Sequence, residues 1–290
     1  MNEPGADLPT RDSDLSAALR RVAPQAASRL DAARTAVHLA AAETLRWFEH
    51  PGLAIEEKAD RSPVTAADRA AESILRRELL GRFPDDAFLG EETGATPGTS
   101  GYEWVVDPID GTKSFIRGVP LYATLVGCRH GHDGVLGIIA IPALDEMVWA
   151  VAGGGAWHVR RGGAPVAARV SSRAGLDESL LCTSDFTSFD DHAHGHTAGA
   201  RARANVEGAC RICRTWGDGY GYLLVATGRA EIMVDPLMNR WDAAAVETVV
   251  VEAGGRFTDW AGGSRIDSGD GLATNGLVHD AVLRLLSDRT

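Results

Sequence analysis

Residues 104–115 read W-V-V-D-P-I-D-G-T-K-S-F, and no other stretch constrains the chain as much. Trp104-Val105-Val106 is an apolar, β-branched run of the kind that forms a buried strand. Pro108 has no N–H to give to a ladder and is expected to end that strand at Asp107. Two carboxylates, Asp107 and Asp110, then sit at a strand end across a proline turn, and Gly111-Thr112 follow, suited to a chain that turns back past a ligand. A carboxylate pair attracts hard cations, and backbone N–H groups in a turn attract phosphate oxygen. The motif points to a metal-assisted phosphate site, which needs more oxygen ligands than it carries itself.

Upstream, Leu30, Ala33, Val37, Ala41, Thr44 and Phe48 recur at helical steps, which predicts an amphipathic helix over 25–48, stopped by Pro51-Gly52. Residues 1–24 lack such periodicity and read as a loose arm. A polar turn from Lys58 leads into a second helix through Ala71, Ile74, Leu75 and Leu79, with Thr65 as its N-cap. Asp68 falls in the first turn of that helix, where a capping role competes with a catalytic one. Ala87-Phe88-Leu89 is a short strand closed by Gly90-Glu91-Glu92, a second acidic strand end. If this strand neighbours the one before Asp107, a carboxylate of the Glu pair can share a cation with it.

Downstream, residues 121–128 and 135–141 predict a β-hairpin whose turn holds His130 and His132, facing water. A strand over 146–152 ends at Gly153-Gly154-Gly155, a sheet corner rather than a phosphate loop, since a strand and not a helix follows. A strand at 179–183 and another near Arg214 flank a polar stretch whose His192, His194 and His196 read as solvated surface. The last third alternates: helix 220–227, strand 230–234, helix 242–253 with Asp242 as N-cap, strands 256–259 and 272–274, and helix 278–286.

A chain of 290 residues buries a large core, and its net charge of -11 opposes nucleic acid, which selects a basic surface. The same charge suits recruitment of divalent cations, and equally simple solubility. No apolar run approaches the roughly 20 residues that span a bilayer, and the N-terminus has no apolar signal core. A cytoplasmic protein without membrane or nucleic-acid partners is expected. The cysteines, Cys128, Cys182, Cys210 and Cys213, are too scattered for a disulfide framework. Cys210 and Cys213 form a C-x-x-C with no second pair at ligand spacing, so two small buried residues in or near a strand are expected over zinc or redox chemistry.

Singly, Asp68, Glu91, Asp107, Asp110 and Asp242 each have a structural explanation. Together they are carboxylates at strand ends and helix starts, where side chains project into the crevice of an α/β fold. Two divalent ions roughly 3.5–4 Å apart need about this supply of oxygens, and magnesium suits a set without histidine or cysteine.

Gly90-Glu91-Glu92, then Asp107-Pro108-Ile109-Asp110-Gly111-Thr112, then Trp241-Asp242 before a small-residue helix, resemble the inositol monophosphatase family of Mg²⁺-dependent, lithium-sensitive phosphatases. The resemblance runs over 25–286. It implies an α/β fold, a layered α-β-α-β-α sandwich with mixed and largely antiparallel sheets. The domain plan is the arm (1–24) and one catalytic domain (25–290), divided into an N-terminal half of about 25–165 and a C-terminal half of about 166–290. The resemblance further implies two or three Mg²⁺ ions per site and a homodimer. One ion would be held by Glu91, Asp107 and the carbonyl of Ile109, the second by Asp107, Asp110 and Asp242. Asp68 and Thr112 would orient the attacking water, Glu91 would take part in catalysis, and Gly111 and Thr112 would donate N–H groups to phosphate.

The substrate implied is a small-molecule phosphate ester. Residues 113–120, 214–222 and 233–242 look like the branch that acts on histidinol phosphate. Its ammonium and imidazole call for acidic and amide partners, for which Asp218, Asp235 and Asn239 are the candidates beside Asp110. An inositol 1-phosphate or sugar phosphate phosphatase is the alternative. A non-catalytic binding or regulatory relative is the second, and it predicts a broken carboxylate set.

Overall fold

The structure is a computed structural model that describes residues 24–57, 63–191 and 196–287. Most of the N-terminal arm, the turn at 58–62, and His192 and His194 lie outside the described residues. His196 is described only as the first backbone position of a helix.

The first helix, Pro24–Trp47, packs beside the second, Ala66–Arg82. Their small or apolar faces, Ala33, Val37 and Ala40 with Ala71, Leu75 and Leu79, bury Trp104, Val106, Val126 and Trp149 of a large sheet. That sheet has eight strands in the order Val166–Ala167, Gly155–Arg160, Glu146–Val151, Asp133–Ile141, Ala123–His130, Tyr102–Asp110, Ala87–Gly90, Gly94–Thr96. Its neighbours are antiparallel except for Ala87–Gly90 beside Tyr102–Asp110, which is parallel. Helices Gly219–Ala226 and Arg240–Glu252 cover its other face and rest in turn on a second sheet. This smaller sheet runs Ile212–Arg214, Leu180–Cys182, Ile232–Asp235, Gly271–Thr274, Arg256–Thr258. Helices His196–Ala209 and His279–Leu286 close the stack. The layers are helix, sheet, helix, sheet, helix, as expected.

Helix Arg240–Glu252 lies unusually close to the large sheet. A Cβ on Gly137 would stand 2.2 Å from the carbonyl oxygen of Ala245, and one on Gly127 would stand 2.8 Å from the carbonyl carbon of Ala244. Glycine opposite an alanine run lets backbone meet backbone, which fixes the height of the helix over the sheet.

Three expectations are corrected. The strand through Trp104 does not stop at Asp107 but runs from Tyr102 to Asp110, with Pro108 inside it. Asp242 is not the N-cap of its helix, because the helix starts at Arg240 and Asn239 is the cap. The polar stretch after residue 183 holds a helix, His196–Ala209, whose buried face among the described side chains is Gly199, Ala202 and Val206. A face of so few small residues leaves almost no apolar periodicity to read.

Candidate active site

The correction at Pro108 explains the site. Asp107 pairs with Leu125 and Asp110 with Ala123, so one strand spends one residue more than its partner, which is a β-bulge. In a regular strand, residues three apart point to opposite faces; the extra residue returns Asp107 and Asp110 to one side. Pro108 sits in the bulge, where no ladder N–H is required, and its carbonyl accepts from the Thr124 hydroxyl at 2.9 Å. The Ile109 N–H donates to Asp107 Oδ1 at 3.0 Å, holding that carboxylate in place. Gly111 turns the chain at φ 83°, and a Cβ there would meet Asp218 Oδ2 at 2.5 Å, so both the turn and the close approach need glycine. The one-turn helix Thr112–Phe115 follows, anchored by Phe115 against Tyr122 with ring centroids 4.9 Å apart.

The parallel strand Ala87–Gly90 places Gly90 opposite Val106, and the Glu91 N–H donates to the Val106 carbonyl at 3.3 Å. The two acidic strand ends are therefore neighbours, and Glu91 lies in hydrogen-bond contact with Asp107. Asp242 arrives from the other side, on the first turn of the helix held over Gly127 and Gly137. Its Oδ2 accepts from the Asn239 N–H at 2.7 Å and lies 3.3 Å from Asn239 Nδ2, so Asn239 positions Asp242.

Asp107, Asp110 and Asp242 converge until one oxygen of each lies within 4.8 Å of the others. Burial, and then mutual repulsion, hold all of them above the ordinary carboxylate range: Asp107 and Asp110 well above it, Asp242 up to about 7. The residues fit a hard divalent cation. They supply oxygens alone, and their crowding is a cost that positive charge would reverse.

Asp68 is buried, completes the capping box of its helix with Thr65 and reaches Thr112. Its Oδ2 accepts from the Thr65 N–H at 2.8 Å and the Thr65 hydroxyl at 2.6 Å, while Oδ1 lies 3.4 Å from the Thr112 hydroxyl. That hydroxyl also reaches the Ile109 carbonyl at 3.1 Å. A cleft of about 510 Å³ joins Glu91, Asp107, Ile109, Asp110, Gly111, Thr112, Asp218, Asn239 and Asp242.

Beside it a pocket of about 210 Å³ is walled by Asp110, Asp218, Asp235, Tyr222 and Met238. Strands Ile212–Arg214, Leu180–Cys182 and Ile232–Asp235 are parallel, so the residues after them, Thr215 and Ser184, and Asp235 itself reach the same sheet edge. Asp235 Oδ1 accepts from the Ser184 N–H at 3.1 Å and hydroxyl at 2.6 Å, and Oδ2 from the Tyr222 hydroxyl at 2.9 Å. Burial pushes Asp235 up to about 6 and raises Asp218 as well. The N–H that follows Asp218, that of Gly219, donates to Asp110 Oδ2, which ties the Asp218 loop to the carboxylate cluster. The aromatic residues of 214–222 divide: Tyr222 is buried under Asp235, and Trp216 is exposed.

Three contributors were not singled out from sequence. Glu72, fully buried one turn after Asp68, accepts from the Glu92 N–H at 2.7 Å and the Thr93 N–H at 2.9 Å and so anchors the loop of Glu91. Its spacing from Asp68 on one helix face was the available signal. Lys113 lines both cavities as their positive charge, and Ser184 lines both while holding Asp235.

Residues 26–289 match the profile of the inositol monophosphatase family. The histidinol-phosphatase of Mycobacterium tuberculosis is 42% identical over 239 residues, which cover 81% of this chain and 88% of that protein. The histidinol-phosphatase of Chlorobaculum parvum is 39% identical over 231 residues, 80% of this chain and 85% of that one. Among solved structures, extragenic suppressor protein suhB from Bartonella henselae is similar with a TM-score of 0.80 at 29% identity, over 90% of this chain and 99% of its own. Among the described residues, no helix is long and apolar enough to cross a membrane.

Proposed function

The chain belongs to the inositol monophosphatase family, and from that premise we propose that it is a Mg²⁺-dependent phosphomonoester hydrolase whose substrate is histidinol phosphate. The observation that carries the substrate is the acidic wall beside the carboxylate cluster. Asp218 and Asp235 line a small pocket next to the cleft, so a substrate with phosphate at one end and positive charge at the other fits it better than a neutral polyol. The names of the two bacterial relatives support the same reading.

In this reading Glu91, Asp107 and the Ile109 carbonyl hold one Mg²⁺ ion, and Asp107, Asp110 and Asp242 a second. When bound, these ions supply charge that acidifies water and stabilises phosphoryl oxygens. The chain's own groups do the remaining work. The Thr112 hydroxyl and Asp68 Oδ1 orient the attacking water, with Asp68 able to take its proton because burial raises its basicity. Glu91 takes part beside Asp68. The N–H groups of Gly111 and Thr112 face the phosphate, and Asp110, Asp218, Asp235 and Asn239 position the organic part, Asn239 acting through Asp242.

Residues 25–290 form one catalytic unit in this reading, since helices of the second half cover the sheet of the first. A homodimer belongs to the same proposal and rests on the family resemblance, and a cytoplasmic location is supported by four cysteines that form no disulfide framework; sedimentation of the purified protein tests the dimer.

A phosphate-release screen in Mg²⁺ comparing histidinol phosphate, inositol 1-phosphate, fructose 1,6-bisphosphate and a nucleotide 3′-phosphate tests the function. Histidinol phosphate should lead in kcat/KM by at least about tenfold, the factor one good charged contact supplies. A lead for inositol 1-phosphate overturns the substrate, and no release from any ester overturns the enzyme.

A further inference from the structure

The proposed reaction uses none of the cysteines. Cys128 and Cys182 are buried, whereas Cys210 and Cys213 are half-buried free thiols. Contrary to the expectation of two buried fillers, they are partly open to solvent. Cys210 follows helix His196–Ala209, its N–H bonded to the Val206 carbonyl at 3.2 Å. Cys213 lies in strand Ile212–Arg214, with Sγ 3.9 Å from the Glu207 carbonyl. Cys210 and the Cys213 sulfur therefore meet the same last turn of that helix, through the consecutive carbonyls of Val206 and Glu207, and their pairing lowers the pKa of Cys213 and raises that of Cys210. Arg211 and Ile212 between them are exposed, so a small oxidant can reach the pair.

We propose that Cys210 and Cys213 are a redox-responsive dithiol that a small-molecule disulfide closes to an intramolecular disulfide. The Cys213 thiolate attacks one sulfur of the small disulfide, forming a mixed disulfide and releasing one thiolate. Cys210 passes its proton to solvent base and attacks Cys213 Sγ, breaking the mixed disulfide and releasing the second thiolate. Two protein thiols are oxidised and one small disulfide is reduced to two thiols. A reducing compartment returns the pair to the open form, which suits a transient rather than a structural bond.

The consequence reaches the cleft. Strand Ile212–Arg214 is at the edge of the smaller sheet and pairs on one side only, with Leu180–Cys182. Drawing Cys213 to bonding distance pulls an edge strand whose continuation brings Thr215 and Asp218 to the cleft. Its Arg214 carbonyl also accepts from the Thr183 N–H at 3.1 Å, next to Ser184. This consequence rests on the phosphatase reading; bond formation does not.

Full-length Mg²⁺-loaded protein treated with oxidised glutathione should lose the mass of two hydrogens, and trypsin should release residues 204–211 linked to 212–214. Cys210→Ser should stop at a glutathione adduct on Cys213, with kcat and KM of the reduced protein unchanged. The oxidised native protein should show a KM several-fold higher, restored by reductant. Four free thiols persisting in the folded protein, or linkage that forms only in urea, overturns the dithiol. A disulfide that forms and leaves KM unchanged overturns its coupling to the cleft. Failure of every ester in the phosphate-release screen strikes the phosphatase reading and leaves the mass result standing.

Discussion

Asp68 and Thr112 meet at 3.4 Å although 44 residues separate them in the chain. Asp68 can face Thr112 because its other oxygen already satisfies the start of its own helix, through the N–H and hydroxyl of Thr65. The cap of its own helix and the contact with Thr112 are divided between two oxygens of one carboxylate. The Thr112 hydroxyl has one proton and two acceptors, Asp68 and the Ile109 carbonyl, so it serves one of them at a time.

Asp68→Asn keeps an oxygen for the cap and removes the base. Stability should change by about 1 kcal/mol or less, the usual scale of a cap, while kcat falls about 100-fold or more. Thermal melts and steady-state kinetics measure both; a nearly native kcat removes Asp68 from the chemistry.

Asp110→Asn relieves repulsion among carboxyls gathered within 4.8 Å. In chelator, the variant should melt a few degrees above the native protein, at about 2–4 °C per kcal/mol for a large domain. Added Mg²⁺ should raise the native Tm and move the variant much less. Equal Mg²⁺ stabilisation of the two proteins takes Asp110 out of the ligand set.

Gly137→Ala places a methyl group 2.2 Å from the Ala245 carbonyl oxygen, where neither backbone can give way. The cost should be about 3 kcal/mol, at the upper end of overpacking. Because the displaced helix carries Asp242, Mg²⁺ affinity should fall as well. Denaturant melts and Mg²⁺ titrations test the pair of effects, and a loss of stability with native Mg²⁺ affinity breaks the link between helix height and site.

His279 is buried between Thr258 at 2.9 Å and Thr274 at 3.0 Å, and burial lowers its pKa from 6.5 to about 4. The folded protein holds it neutral, so as pH falls the unfolded chain takes up the proton first. Its contribution is complete above pH 6.5 and is lost as pH falls towards about 4. At one pKa unit per 1.36 kcal/mol the loss is at most about 3 kcal/mol. His279→Asn should be less stable at pH 7 and show a flatter decline from pH 7 to 5 in urea melts. Parallel declines assign the pH dependence to other groups.

Much of the fold was legible because its signals are local. The periodicity from Leu30 to Phe48 reports the first helix, Thr65 its neighbour's cap, and Gly90-Glu91 an acidic strand end that proves to lie beside the strand of Asp107. The helix His196–Ala209 was not legible, because among its described side chains only Gly199, Ala202 and Val206 are buried, and two apolar residues amid Arg201, Arg203, Asn205 and Glu207 make a weak periodic signal. Glu72 escaped notice for a related reason: a buried carboxylate that anchors a loop 20 residues away looks like any helix glutamate until the loop's N–H groups are seen.

Residue order alone makes the chemical groups legible: carboxylates in a set order, a glycine turn beside them, and further acidic residues downstream. Which of those oxygens meet is a matter of folding. Side-chain direction in a strand depends on pairing register, and one extra residue at Pro108 turns Asp107 and Asp110 to the same side. Asp242 joins them because Gly127 and Gly137, on neighbouring strands, put no side chain between its helix and the sheet.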